Sequence, residues 1–282
     1  MTGKLKIRAR LILGFAAITL TLALAVGITV WKVKGIESQT TRIVELRVPT
    51  AFASSAMVND INASLADLRG YMLTGNAKFK VQRARVWENI ASVRAAMDTL
   101  SESWTNPANV EKWTEFKAVL DEFTVAQQQV EDIAHTTDEH PANKLLLTEA
   151  APRASVIIKA ITAMIDAEAS LPATVERKAL LGMMADVRGS MGLALANIRA
   201  YLLSGDEKFK QGFDRFWATN DKRFADLSDN AYLLSTDQKA SFEQLSAVRA
   251  EFAPLPPRMF AIRGSNKWNM ANYLLVTEAA PR

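Results

Sequence analysis

From Leu11 to Trp31 the chain carries no charged residue, and Lys4, Lys6, Arg8 and Arg10 precede this run while Lys32 and Lys34 follow it. As a helix rising about 1.5 Å per residue, the run is roughly 30 Å long, the thickness of a bilayer core. The stretch GITVWKVKG that ends at Gly35 offers no small-residue cleavage pattern, so the run reads as an uncleaved transmembrane helix over 11–31. Basic residues ahead of a first membrane helix favour the cytoplasmic side. Residues 1–10 are therefore expected in the cytoplasm and residues 35–282 on the far side, periplasmic in a Gram-negative bacterium.

Beyond Gly35 the apolar positions recur with a helical period, and no alternating β-branched run interrupts them. Punctuation divides the rest into six helices. The first runs from about Ile36 to Thr74 and closes on Gly75; the second covers about Ala77 to Ser103 and stops at Asn106-Pro107. The third extends from Pro107 to about Ser170, with kinks or breaks expected at Pro141 and Pro152. After Leu171-Pro172-Ala173-Thr174, the fourth spans about Val175 to Ser204 and the fifth about Glu207 to Leu233. The sixth starts near Asp237, with Ser235, Thr236 and Asp237 as cap candidates, and Pro254-Leu255-Pro256-Pro257 interrupts it.

The chain also repeats itself. RGYMLTGNAKFK (Arg69 to Lys80) returns as RAYLLSGDEKFK (Arg199 to Lys210), 130 positions on, and ANKLLLTEAAPR (Ala142 to Arg153) returns as ANYLLVTEAAPR (Ala271 to Arg282), 129 positions on. Two collinear helical units follow from this duplication, one over about 36–170 and one over about 174–282. Three helices per unit bury apolar faces poorly, but the third and sixth are long enough to reach beyond their own units. The expected fold is all-α: a membrane helix followed by two four-helix bundles stacked end to end, made from six helices.

Net charge looks basic at +4, yet six of the 34 Lys and Arg lie in the first 34 residues, which hold no Asp or Glu. The remainder carries 28 basic against 30 acidic side chains. The basic balance is thus an orientation signal, and no nucleic-acid partner is expected. With no cysteine there is no disulfide and no thiolate chemistry. His135 and His140 stand five apart, off a common helical face, so no metal and no cofactor is expected. No Walker loop, zinc-protease helix, dinucleotide fingerprint or triad context occurs, and the chain is not expected to be an enzyme.

The candidate ligand residues come from the repeats. Arg69 and Arg199 occupy equivalent positions at the margin of an apolar face, beside Leu68 and Met72 in one copy and Ile198 and Leu202 in the other. A guanidinium there has the donor fork to grip a carboxylate; the plainer alternative is an arginine laying its stem along the bundle with its head in water. Asn143 and Asn272 precede the repeated proline and offer amide hydrogen bonds. Tyr71 and Tyr201 lie two residues past the arginines, on another face suited to packing. The TEAAPR motif has an ordinary account in a proline kink and the pairs Glu149–Arg153 and Glu278–Arg282 at i, i+4. The aromatics Phe79 and Phe209, Trp87 and Trp217, and Trp113 and Phe242, in register between the copies, read as core.

LRGYMLTG and IRAYLLSG, each followed by KFK, together with the N-terminal KLKIRARLILGF, resemble the helical bimodular sensor domain of bacterial methyl-accepting chemotaxis receptors. The resemblance extends from about Lys4 to Arg282. It implies a receptor of the inner membrane whose periplasmic bundles bind small organic anions, a C4-dicarboxylate in one module and an acetate-like acid in the other. It further implies a homodimer, and a cytoplasmic kinase and coupling protein reached through later segments. The first TEAAPR continues as ASVIIKAITAMIDAE whereas the second copy reaches only its arginine, so the 282 residues are read as the sensory part of a longer protein. A histidine-kinase sensor of similar architecture and a non-sensory helical tether are the other readings.

Overall fold

A computed structural model describes residues 6–282; Lys4, and with it part of the expected cytoplasmic segment 1–10, lies outside the described residues. The fold is all-α, with no strand among the described residues. The chain divides into two compact units, one made of residues 1–71 and 76–119 and the other of residues 72–75 and 120–282. These units cut across the sequence repeat, because the helix that starts at Pro107 belongs to the first over its early turns and to the second thereafter.

The first unit begins with α1, Ile7–Arg42, which has no buried residue. A single wide π-turn, Ile43–Arg47, joins it to α2, Val48–Thr74. The expected break near Gly35 does not form: Ile7 to Thr74 is one helical rod of 68 residues, and its apolar window is wholly unburied within the protein. Glycine alone does not end a helix, and neither proline nor a cap follows it here. After Gly75, in the left-handed conformation at φ 66°, Asn76 accepts from the Lys78 amide and starts α3, Ala77–Ser101. Asn106 accepts from the Ala108 amide and starts α4, Pro107–Ile133. Met57, Leu68, Ile90, Met97 and Trp113 are the buried apolar positions of this unit, and Ser64 and Arg83 are buried beside them. A Cβ on Gly70 would stand 2.6 Å from the Phe79 ring, so α2 and α3 meet closely only because position 70 is glycine.

The second unit contains a closed four-helix bundle. The third expected helix breaks ahead of Pro141, one of the two prolines at which a kink or break was expected: α4 ends at Ile133, His135 takes φ 62°, and Pro141 opens a short helix, α5, Pro141–Leu145. A π-turn, Leu146–Ala150, leads into α6, Ala151–Glu168. Then follow α7, Val175–Ser204, and α8, Glu207–Asp229, with Gly205 at φ 72° between them. Ser235 supplies the cap of α9, Thr236–Phe252, in a capping box with Gln238. The helices α6, α7, α8 and α9 pack round Ile157, Ile161, Met184, Met191, Leu227, Leu245 and Phe252. α7 is also long and apolar enough to cross a membrane, but its stripe is buried in this bundle.

The proline-rich stretch resolves into a turn and a short helix α10, Leu255–Arg263, where Pro256 and Pro257 occupy the first turn, the place a helix tolerates them. A second break over residues 264–269 precedes α11, Met270–Leu274, and a π-turn, Leu275–Ala279. The two breaks are partners: the Met270 amide donates to the Glu139 carbonyl at 2.8 Å, Asn269 Nδ2 donates to Glu139 Oε1 at 3.1 Å, and His140 stacks on Trp268. His140 is thus accounted for by packing between the breaks.

Candidate functional site

The duplicated motifs are positioned by local chemistry. Residues 43–49, 146–152 and 275–281 share one construction, a five-residue π-turn whose last member stands two places before a proline. In each the residue before the proline donates its amide five residues back, Val48 to Ile43, Ala151 to Leu146 and Ala280 to Leu275. Proline cannot donate and crowds the carbonyl four residues earlier; widening the preceding turn removes the conflict without ending the helix. The sequence announces the proline kink at two of these places. The third, at Pro49, escapes notice because IVELRVP shares only its spacing with LLTEAAP.

Both expected ion pairs form, Arg153 Nη1 to Glu149 Oε2 at 2.6 Å and Arg282 Nη1 to Glu278 Oε2 at 3.0 Å. Each arginine also reaches across to a second carboxylate that sequence reasoning missed, Glu251 at 3.0 Å and Glu122 at 3.1 Å. Glu122 and Glu251 are 129 positions apart, the repeat interval, which is the signal that would have found them. TEAAPR is therefore a latch between helices.

The four sequence-selected ligand residues are not brought together. Arg69 and Arg199 are exposed, while Leu68 and Ile198 beside them are fully buried. The helical register turns the apolar neighbour inward and leaves each arginine exposed at the margin of that face. Asn143 is half-buried after the first break, and Asn272 is exposed after the second. Tyr201 is buried, edge-on to Phe260, and burial, followed by the nearby Glu207, raises its hydroxyl pKa. Tyr71 is half-buried with Lys80 over its ring at 5.0 Å.

Within the second unit the buried polar groups satisfy one another. Asn220 donates to the Val187 carbonyl and Ser190 Oγ, and accepts from Arg249 Nε at 3.0 Å. The Arg249 guanidinium sits between Trp217 and Phe224 and also pairs with Asp221. Arg177 grips Glu168 with two nitrogens, at 2.6 and 3.0 Å, and Gln238 bonds both Glu168 and the Met164 carbonyl. Among the described residues no buried side-chain nitrogen or oxygen lacks a partner. These cations hold the bundle together and their donors are already engaged.

The first unit is different. A groove of about 680 Å³ lies between the start of α2, the end of α3 and the start of α4. Arg42, Arg47 and Lys112 line it with Asn106 and Asn109, and among the described residues its lining includes no carboxylate. Trp104, Trp113 and Phe116 make its apolar wall. The wall is braced: Trp113 stacks on Phe116 and donates its indole N–H to Asp98 Oδ1 at 2.8 Å, and Lys117 Nζ holds the same oxygen at 2.7 Å. Those two hydrogen bonds, Lys117's first, lower the Asp98 carboxyl pKa. Such a volume suits a small molecule, and the donor set suits an anion.

With this geometry in view, the comparisons with known proteins are decisive on one point. The sequence matches the four-helix-bundle sensory module for signal transduction, a chemoreceptor family, over residues 4–180, more than half of the chain. The chain belongs to this family. Comparison with curated proteins found no match, and comparison with solved structures found none either. The sensory module and the apolar helix joined to it fit a membrane protein that works in signal transduction.

Proposed function

We propose that this chain is the ligand-sensing region of a methyl-accepting chemotaxis receptor, anchored in a bacterial inner membrane by residues 11–31 and displaying residues after about 35 in the periplasm. Its stimulus is a small organic acid, and its task is binding with no chemical conversion. The groove lined by Arg42, Arg47 and Lys112 without a carboxylate carries this reading, since it is the place where an acid would complete the charge balance. Lys6, Arg8 and Arg10 ahead of the apolar run support the orientation. A mere tether would need few polar groups between its helices, whereas Asn220, Gln238 and Ser190 are buried here.

The receptor acts as a homodimer that passes its signal to a cytoplasmic kinase and coupling protein. Val44, Val48 and Phe52, four residues apart on one stripe and all exposed, provide an apolar face for a second copy. Calorimetric titration of the whole chain in phosphatidylcholine nanodiscs tests the reading. Acetate, succinate or malate should give saturable heat that uncharged succinamide does not. Flat titrations with every acid would contradict it.

A further inference from the structure

The cationic groove surrounds the π-turn that joins the membrane-length helix to α2. Arg42 is the last residue of α1, Leu46 and Arg47 belong to the turn itself, and Thr50 and Ser54 open α2; all five line the groove. On the opposite side Asn106, Asn109 and Lys112 come from the capped start of α4. Arg42 lies eleven residues beyond Trp31, roughly 16 Å along a helix axis from that end of the apolar run. The position is near enough to the membrane helix to act on it mechanically and far enough from the apolar run to meet water-borne ligands.

The donors available to an anion can be counted. Thr50 and Ser54 give their hydroxyl protons to carbonyls one turn back, at 2.6 and 2.8 Å, and so offer only acceptor oxygen. Thr105 Oγ1 accepts from Arg42 Nη2 at 2.9 Å, which orients that guanidinium while leaving its other N–H groups. Arg47, Lys112 and the Asn109 amide add donors from two further directions. The aromatic wall of Trp104, Trp113 and Phe116 gives an acid's carbon body a surface to cover. Arg153, Arg177, Arg249 and Arg282 in the second unit, by contrast, each hold a carboxylate of the protein.

We infer that this groove is the acid-binding site, with Arg47 of the π-turn and Lys112 of α4 gripping the carboxylate of a small organic acid from opposite sides of the groove. The inference rests on the sensing role proposed above and gives it an address that neither repeat motif indicates. An acid bridging Arg47 and Lys112 draws the wide turn toward α4, and a π-turn is the one place in the 68-residue rod where a residue can be taken up or released while the helix remains intact. An exposed arginine or lysine is ordinarily just hydrated; three of them lining one groove against a braced aromatic wall suit a ligand.

The test uses the whole chain in phosphatidylcholine nanodiscs with succinate and acetate as probes. Arg47→Gln and Lys112→Gln should each weaken binding about 10- to 100-fold, the loss expected of one charge-assisted contact, while Arg69→Gln and Arg199→Gln bind as the parent does. Unchanged circular dichroism and melting midpoints show that the variants fold. Acid binding that survives both groove variants overturns this site and leaves the sensing role standing; no acid binding by the parent chain overturns both. A second set of discs containing phosphatidylglycerol separates the sources of anion. Equal succinate affinity in both discs supports a free acid, and loss of it only in the anionic discs assigns the groove to a lipid headgroup and overturns the proposal.

Discussion

Asp98 shows how one side chain sets the shape of the candidate site. Its carboxylate takes the Trp113 indole N–H and the Lys117 ammonium on a single oxygen and so fixes the aromatic wall. Its pKa is lowered in the folded chain, so the stabilisation it brings is fully present above the ordinary carboxylate range and is lost as pH falls through the lowered value. The side chain is 45% exposed, and the contribution is correspondingly small. Thermal melts from neutral to strongly acid pH should show Asp98→Asn with a shallower acid-side decline than the parent; identical slopes would mean that the network does not hold the wall. Nothing in the sequence singles out Asp98, because its partners lie 15 and 19 residues away in another helix. Arg69 and Arg199 were conspicuous for the opposite reason: they repeat, and the structure leaves both on exposed faces.

At the scale of elements, the helix ends and the proline-marked interruptions were legible, whereas the break over 264–269 and the wide turn before Pro49 were not. Gly75, Gly205 and Ser235 act through local chemistry and stand where local reasoning puts them. Gly35 looks like punctuation yet passes without effect, and the break at 134–140 has its counterpart 129 positions on at 264–269, where the proline is absent. Those breaks depend on each other through Met270 and Glu139, a tertiary cause that a linear pattern does not display. The crossing of α2 and α3 gives a direct test. Gly70→Val drives a branched side chain into Phe79 and should cost about 1–3 kcal/mol in urea unfolding, the usual penalty of overpacking. Gly35→Ala, with open space around it, should be neutral or stabilise by up to about 1 kcal/mol. Equal stabilities would show that the close approach at Gly70 does not constrain the pair.

For the whole molecule, an acid bound beside the π-turn is expected to change the long apolar helix joined to that turn. All-helical class, duplication and a membrane-length N-terminal helix were readable from periodicity and repeats. That α1, the π-turn and α2 form one rod, with the cationic groove around its single wide turn, was not, since those cations are scattered between positions 42 and 112. Because the chain has no cysteine, Lys34→Cys and Ser55→Cys place spin labels on either side of the turn without a background to remove. Pulsed electron-electron distance measurements in nanodiscs should show the separation shifting by about 1.5 Å, one residue's helical rise, when succinate saturates the chain. The shift should be missing with succinamide and in the Arg47→Gln background. An unchanged distance distribution with succinate bound would contradict the account.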